Sequence, residues 1–178
     1  MKQKMNTGAN LLFNIMKRFL ISFFALIFIS GCQTMAEGPS FAEAKSVGSY
    51  PDMSTIYIYR VYAKPHSIGV DIFINNEMIA TLYQRGFTWT RVKPGLINIK
   101  GDWPSLSGQK DSHISFNAES GKSYYVELTA DSKIVGALPI AATGAVTFIT
   151  DSTSGLHLIE PNVAEATLYE CCKFQQKQ

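Results

Sequence analysis

From Thr55 onward the apolar residues recur at every second position, and that period decides for sheet over helix. Thr55-Ile56-Tyr57-Ile58-Tyr59-Arg60-Val61-Tyr62 is rich in β-branched and aromatic residues, and Val70-Asp71-Ile72-Phe73-Ile74-Asn75 alternates again after a turn at Lys64-Pro65-His66. Asn75-Asn76-Glu77 tolerates positive φ and returns the chain into Met78 to Tyr83, which predicts a hairpin. Gly86 to Val92 follows as a strand, then the turn Lys93-Pro94-Gly95, where Pro presets φ and Gly accepts a positive one. Further strands are expected over Leu96 to Lys100, His113 to Asn117 and Lys122 to Thr129, with Gly101 to Asp111 as a longer polar connection.

Ile134 to Thr150 is uncharged and contains Gly136, Pro139 and Gly144. Its 17 residues and three breakers make a poor membrane span, so a buried loop followed by a strand near Ala145 to Ile149 is expected, with a membrane-contacting loop as the alternative. Gly155 to Glu160 is the last strand. Pro161 then suits the first turn of a helix over Val163 to Glu170, with Ala164, Leu168 and Cys171 at helical spacing. About seven to nine short strands joined by Gly and Pro turns predict a mainly β chain: an antiparallel β-sandwich or partly open barrel with a C-terminal helix.

The N-terminus is a different object. Residues 1–32 carry Lys2, Lys4, Lys17 and Arg18 and no acidic residue, and Phe19 to Ile29 is an uncharged run of 11. At about 1.5 Å per helical residue that run covers roughly half of a 30 Å hydrocarbon core, so it reads as a signal sequence and not a membrane span. Leu26-Ile27-Phe28-Ile29-Ser30-Gly31-Cys32 resembles the bacterial lipobox, an aliphatic residue and two small ones before a cysteine. The resemblance implies cleavage after Gly31, a diacylglycerol thioether on Cys32, and a freed amine open to acylation. One acyl chain anchors marginally and two or more anchor durably. Gln33 stands where Asp would retain a lipoprotein at the inner membrane, so the implied address is the periplasmic face of the outer membrane. Met16 would itself serve as a start for this signal.

The expected organisation is therefore a signal over 1–31, a flexible tether over 32–52, a β-sandwich over 53–160 and a helix with tail over 161–178. The tether follows from Gly38-Pro39-Ser40, Tyr50-Pro51-Asp52 and the lack of an apolar period, with a transient helical turn over Ala42 to Ser46. Four of the 16 basic residues lie in the signal and none of the 14 acidic ones does, which leaves the remainder at −2. Without a basic run, nucleic acid is not expected as a partner.

Apart from Cys32, the cysteines are Cys171 and Cys172, adjacent in the chain. A strained ring between neighbours, an intermolecular bridge and free thiols all remain open, with no redox duty favoured. His66, His113 and His157 lack metal-ligand spacing, and no nucleophile elbow, zinc-protease motif or phosphate loop occurs. Neither a catalytic set nor a metal or cofactor is assigned. Asp71, Asp102 and Asp111 read as edge or turn carboxylates. Arg60, on the face of Ile56 and Ile58, is expected to snorkel, or else to pair with a carboxylate beside a groove. Tyr57, Tyr59, Tyr125 and Trp89 join Arg60 as binding candidates, although packing explains the tyrosine row more simply.

The order Ile56-Tyr57-Ile58-Tyr59-Arg60, an aliphatic strand ending in Asn75-Asn76-Glu77, then Val92-Lys93-Pro94-Gly95 and Gly121-Lys122-Ser123-Tyr124-Tyr125-Val126 is similar to a family of bacterial lipoproteins defined by a domain of unknown function. The resemblance spans about residues 53 to 170 and implies a sandwich of the kind seen in PEGA-type modules. The Cys171-Cys172 tail and the missing Gly after Ile74 depart from the pattern, and no catalytic residues come with it. The functional expectation is a non-enzymatic, lipid-anchored interaction or structural module of the envelope, held to the membrane through Cys32, with an envelope protein or glycan as partner. The alternatives are a small-molecule or glycan receptor lined by tyrosines and Trp89 or Trp103, and a small hydrolase using a carboxylate near Asp71 or Asp111.

Overall fold

The computed structural model describes residues 35–46, 50–139 and 146–176; the expectations for the signal and for Cys32 lie outside them. The elements are α1 (Phe41–Ala44), β1 (Ser54–Arg60), β2 (Val70–Ile74), β3 (Glu77–Leu82), β4 (Gly86–Val92), β5 (Gly95–Asp102), a 3-10 turn (Ser105–Ser107), β6 (Ser112–Ala118), β7 (Ser123–Pro139), β8 (Val146–Ile159), α2 (Pro161–Cys171) and β9 (Lys173–Phe174). The strands form two open sheets ordered β8-β7-β1-β4-β9 and β3-β2-β5-β6. This is the expected β-sandwich with its C-terminal helix.

Period two explains the layering. Ile56 and Ile58 of β1 point into the core between the sheets, against Ile72, Leu82, Ile97, Ile99, Val126 and Leu128. Tyr57 and Tyr59 point the other way, into a second core with Phe87, Tyr125, Phe41, Ala164 and Leu168 under the helices. A central strand covered on both faces reads as an unbroken apolar run, as β1 does. Each such side chain, fully buried, contributes about 1.5–3 kcal/mol. The β2–β3 turn takes positive φ at Asn75 and Asn76, the conformation a tight hairpin needs.

Four features differ from the sequence expectations. First, β1 pairs parallel with β7, and β4 parallel with β9, so the larger sheet is mixed and not antiparallel throughout. The chain leaves β1 to build the whole smaller sheet and returns beside it, and so long a crossover permits parallel pairing.

Second, the segment expected to be a tether is docked on the domain. Met35 bridges to Gln84, Ser40 bridges to Lys173, and Phe41 is buried against Tyr57, Phe87 and Tyr169. A capping box between Ser40 and Glu43 holds α1, which overlaps the turn expected over Ala42 to Ser46 but starts one residue earlier and ends two residues sooner.

Third, the described part of the expected buried loop after Ile134 is strand. β7 runs on to Pro139 and pairs with β8, with a bulge at Val135. The two last strands expected are one, β8.

Fourth, α2 starts on Pro161 as expected and buries Ala164 and Leu168, but the next buried side chain is Cys172 and not Cys171. The helix ends at Cys171, and the extended backbone of Cys172 turns its side chain into the core.

Candidate functional site

The most constructed place in the molecule is the end of the sandwich where β1 finishes at Arg60. Arg60 is 0% exposed, which replaces the expected snorkelling, and it faces main-chain carbonyls in place of a carboxylate. Its Nη1 donates to the carbonyls of Ile68 (2.6 Å) and Leu82 (3.1 Å), and its Nη2 to those of Ala63 (2.8 Å) and Pro65 (2.7 Å). A guanidinium fork suits four divergent acceptors as an ammonium does not. Burial lowers the Arg60 pKa to about 10, which still leaves it charged at neutral pH.

The carbonyls Arg60 gathers belong mostly to the loop between β1 and β2, which folds over this end. Gln84 secures the same loop: its Oε1 accepts from the Ala63 amide at 3.3 Å, and its Nε2 donates to the Ala63 carbonyl. The loop is also tied to β7. Ala63 bridges to Ala130, the Lys64 amide donates to the Ala130 carbonyl (2.9 Å), and Lys64 Nζ pairs with Asp131 at 2.9 Å.

Over this clamp lies an open groove of about 980 Å³. Tyr62, His66, Gln84 and Arg85 line it together with Val163, Thr167 and Glu170 of α2 and with Met35. Tyr62 and His66 meet at a tilt of 58° with 4.4 Å between ring centres, and Tyr62 is largely exposed. The mixture of aromatic, aliphatic and singly charged groups fits an extended segment or an amphipathic small molecule. Sequence reasoning missed most of these residues, since nothing in their spacing shows that the β1–β2 loop, the β3–β4 connection and the helix converge.

The residues chosen from sequence as binding candidates lie elsewhere. Tyr57, Tyr59 and Tyr125 are buried in the second core; Tyr57 and Tyr125 stack at 4.9 Å. Tyr125 donates its hydroxyl to Glu165 Oε1 at 2.5 Å, and Tyr57 Oη accepts from the Ser46 amide at 3.1 Å. Burial raises the pKa of all three tyrosines, so they stay neutral. With Arg60 they offer no surface to a ligand. Trp89 is half-buried, donates Nε1 to the Ala44 carbonyl at 2.6 Å and lines a shallow cleft of about 470 Å³ with Met78, Arg91 and Phe174. Trp103 is buried and lines neither cavity.

The candidate carboxylates are similarly committed. Asp71 accepts from Thr81 Oγ1 at 2.6 Å, and Lys100 pairs with Asp102 (2.9 Å) and Asp111 (3.0 Å). Among the described residues no three His, Cys, Asp or Glu side chains are placed to hold a metal ion, and no helix is long and apolar enough to cross a membrane.

The family model described as a protein of unknown function (DUF2846) matches residues 50–144. The chain belongs to the DUF2846 family. No curated protein matches it. In this DUF2846 chain the matched region contains β1 through β7, including Arg60, its carbonyl partners and Gln84 in the β3–β4 connection; β8, α2 and β9 follow it. The clamp is thus internal to the DUF2846 region, while the helical wall of the groove lies outside it.

Proposed function

We propose that the protein is a lipid-anchored envelope lipoprotein, facing the periplasm from the outer membrane, that acts as a non-enzymatic interaction module. The observation that carries the reading is Leu26 to Cys32, a lipobox-like sequence that ends three residues before Met35, where the chain docks on the sandwich. With a thioether on Cys32, so short a spacer holds the Arg60 end close to the bilayer, and the groove faces whatever shares that space.

The interaction role rests on the construction of that end. A rigid floor, set by Arg60 and Gln84, supports an open groove with exposed aromatic and aliphatic walls, which suits a segment of another envelope protein. The carboxylates considered for hydrolysis line neither cavity and are held by Lys100 or Thr81. A glycan-binding reading keeps one specific support, the half-buried Trp89 ring in its cleft beside Arg91.

Globomycin should block processing of the wild type, and Cys32→Ser should release the protein from the membrane fraction. For the groove, a photocrosslinker at Tyr62 in intact envelopes should trap a reproducible adduct that one at Leu96, exposed on the smaller sheet, does not. Identical patterns from both positions would refute a groove-specific partner.

A further inference from the structure

β7 does not end where the sandwich ends. It pairs with β1 from Ser123 to Glu127 and touches the β1–β2 loop at Ala130. Beyond that point β7 pairs with β8 alone, out to Pro139 opposite Val146. At about 3.3 Å per residue this two-stranded arm projects roughly 25–30 Å.

The arm changes chemistry along its length. Its root is polar and anchored: Asp131 pairs with Lys64, Gln109 Nε2 donates to the Asp131 carbonyl (3.0 Å), and Lys133 sits opposite Asp151. From Ile134 through Thr150 no residue is charged. Ile134, Val135 and Leu138 are 68%, 60% and 57% exposed. An isolated two-stranded ribbon is marginal in water, and large apolar side chains on both sides of a bulge give it no core of its own.

Topology says which way the arm points. β7 is parallel to β1, so its extension leaves from the Arg60 end. β4 is antiparallel with Gly86 opposite Arg60, so Gln84, and Met35 bridged to it, lie at that same end. Cys32 is three residues before Met35, at most about 11 Å of chain. The chain therefore enters the domain at the end from which the uncharged arm projects.

We propose that the β7–β8 arm is a second membrane contact, laying Ile134, Val135 and Leu138 into the interfacial zone of the lipid surface that holds the N-terminus. The open edges of a two-stranded ribbon carry unpaired backbone groups that hydrocarbon does not accept, so the arm lies at headgroup depth and does not span. Two separated contacts would fix the orientation of the groove above the bilayer, which one flexible anchor cannot do. The inference rests on the lipid-anchored reading for its direction but concerns different residues.

The test uses the processed chain carrying Leu138→Cys labelled with a polarity-sensitive fluorophore, mixed with vesicles of phosphatidylethanolamine and phosphatidylglycerol. The expected result is a vesicle-dependent blue shift, quenched more by shallow than by deep nitroxide lipids. Adding Ile134→Asp should cut that response by at least about fivefold. Both positions are exposed, so neither change removes a core contact. A water-like spectrum on vesicle-bound protein would overturn the inference while leaving the anchor intact. A shift that follows protein concentration without vesicles would overturn it in favour of a second copy. The N-terminal mass is read on the same sample: a blue shift with an unacylated Cys32 supports the arm contact and removes the anchor.

Discussion

The guanidinium carbon of Arg60 lies 5.1 Å from the ring centre of Trp103, so the buried cation has an aromatic face on one side and four main-chain carbonyls around it. The charge is stabilised by dipoles and a ring quadrupole in place of a counterion. It closes the core and fixes the floor of the groove in one arrangement.

Replacing that cation should be costly whichever residue is used. Arg60→Met leaves the carbonyls without donors and is expected to lower stability by about 3–5 kcal/mol. Arg60→Lys keeps the charge but not the fork, and should still lose about 2 kcal/mol. Urea unfolding midpoints measure both; equal stability of Arg60→Lys and wild type would show that charge alone suffices.

Phe41 should act as the pin of the N-terminal segment. Phe41→Ala removes a buried ring that meets Tyr57, Phe87 and Tyr169 edge-on, at a cost of about 3 kcal/mol. Hydrogen exchange should then accelerate at the Ala36 and Lys45 amides, which donate to Gln84 and Phe41, while β1 stays protected at its centre.

These two residues mark the boundary of what was legible in the chain. Alternation placed β4 at Gly86–Val92 as it stands, and Asn75-Asn76 announced its hairpin, because a strand's face and a turn's φ are local properties. Arg60 was visible as an anomaly, but acceptors supplied by main-chain carbonyls leave no trace in residue types. Phe41 was hidden by its small, polar surroundings, and a four-residue helix has no period to detect. The arm was misread as a loop since Gly136 and Pro139 are breakers in a central strand, whereas a ribbon tolerates a bulge and a terminal Pro. The parallel β1–β7 pairing joins residues too distant in the chain for any local signal.

Glu127 carries a pH dependence. Burial raises its pKa above the ordinary carboxylate value, with His157, its cross-strand neighbour, opposing. A fold that favours the protonated acid has no penalty below the ordinary pKa and bears the full penalty above the raised one. Glu127→Gln is therefore expected to raise the unfolding midpoint relative to wild type at pH 7 and to lose that advantage near pH 4. A larger gain at pH 4 would contradict the assignment.

Cys171 and Cys172 are joined as a vicinal disulfide, one of the states the sequence left open. Neither should take up iodoacetamide before reduction. After gentle reduction Cys171, which lines the groove, should label ahead of Cys172, which is 3% exposed. Simultaneous labelling would mean that the C-terminus leaves the second core once the bond is cut.

The proposed attachment through Cys32 underlies the proposed orientation of the groove and of the arm, and the mass of the N-terminal peptide from envelope-purified protein tests it most directly. The expected peptide begins at Cys32 and carries a diacylglyceryl group with a further acyl chain on its amine. A peptide that begins elsewhere, or that begins at Cys32 with an unmodified sulfhydryl, would contradict it.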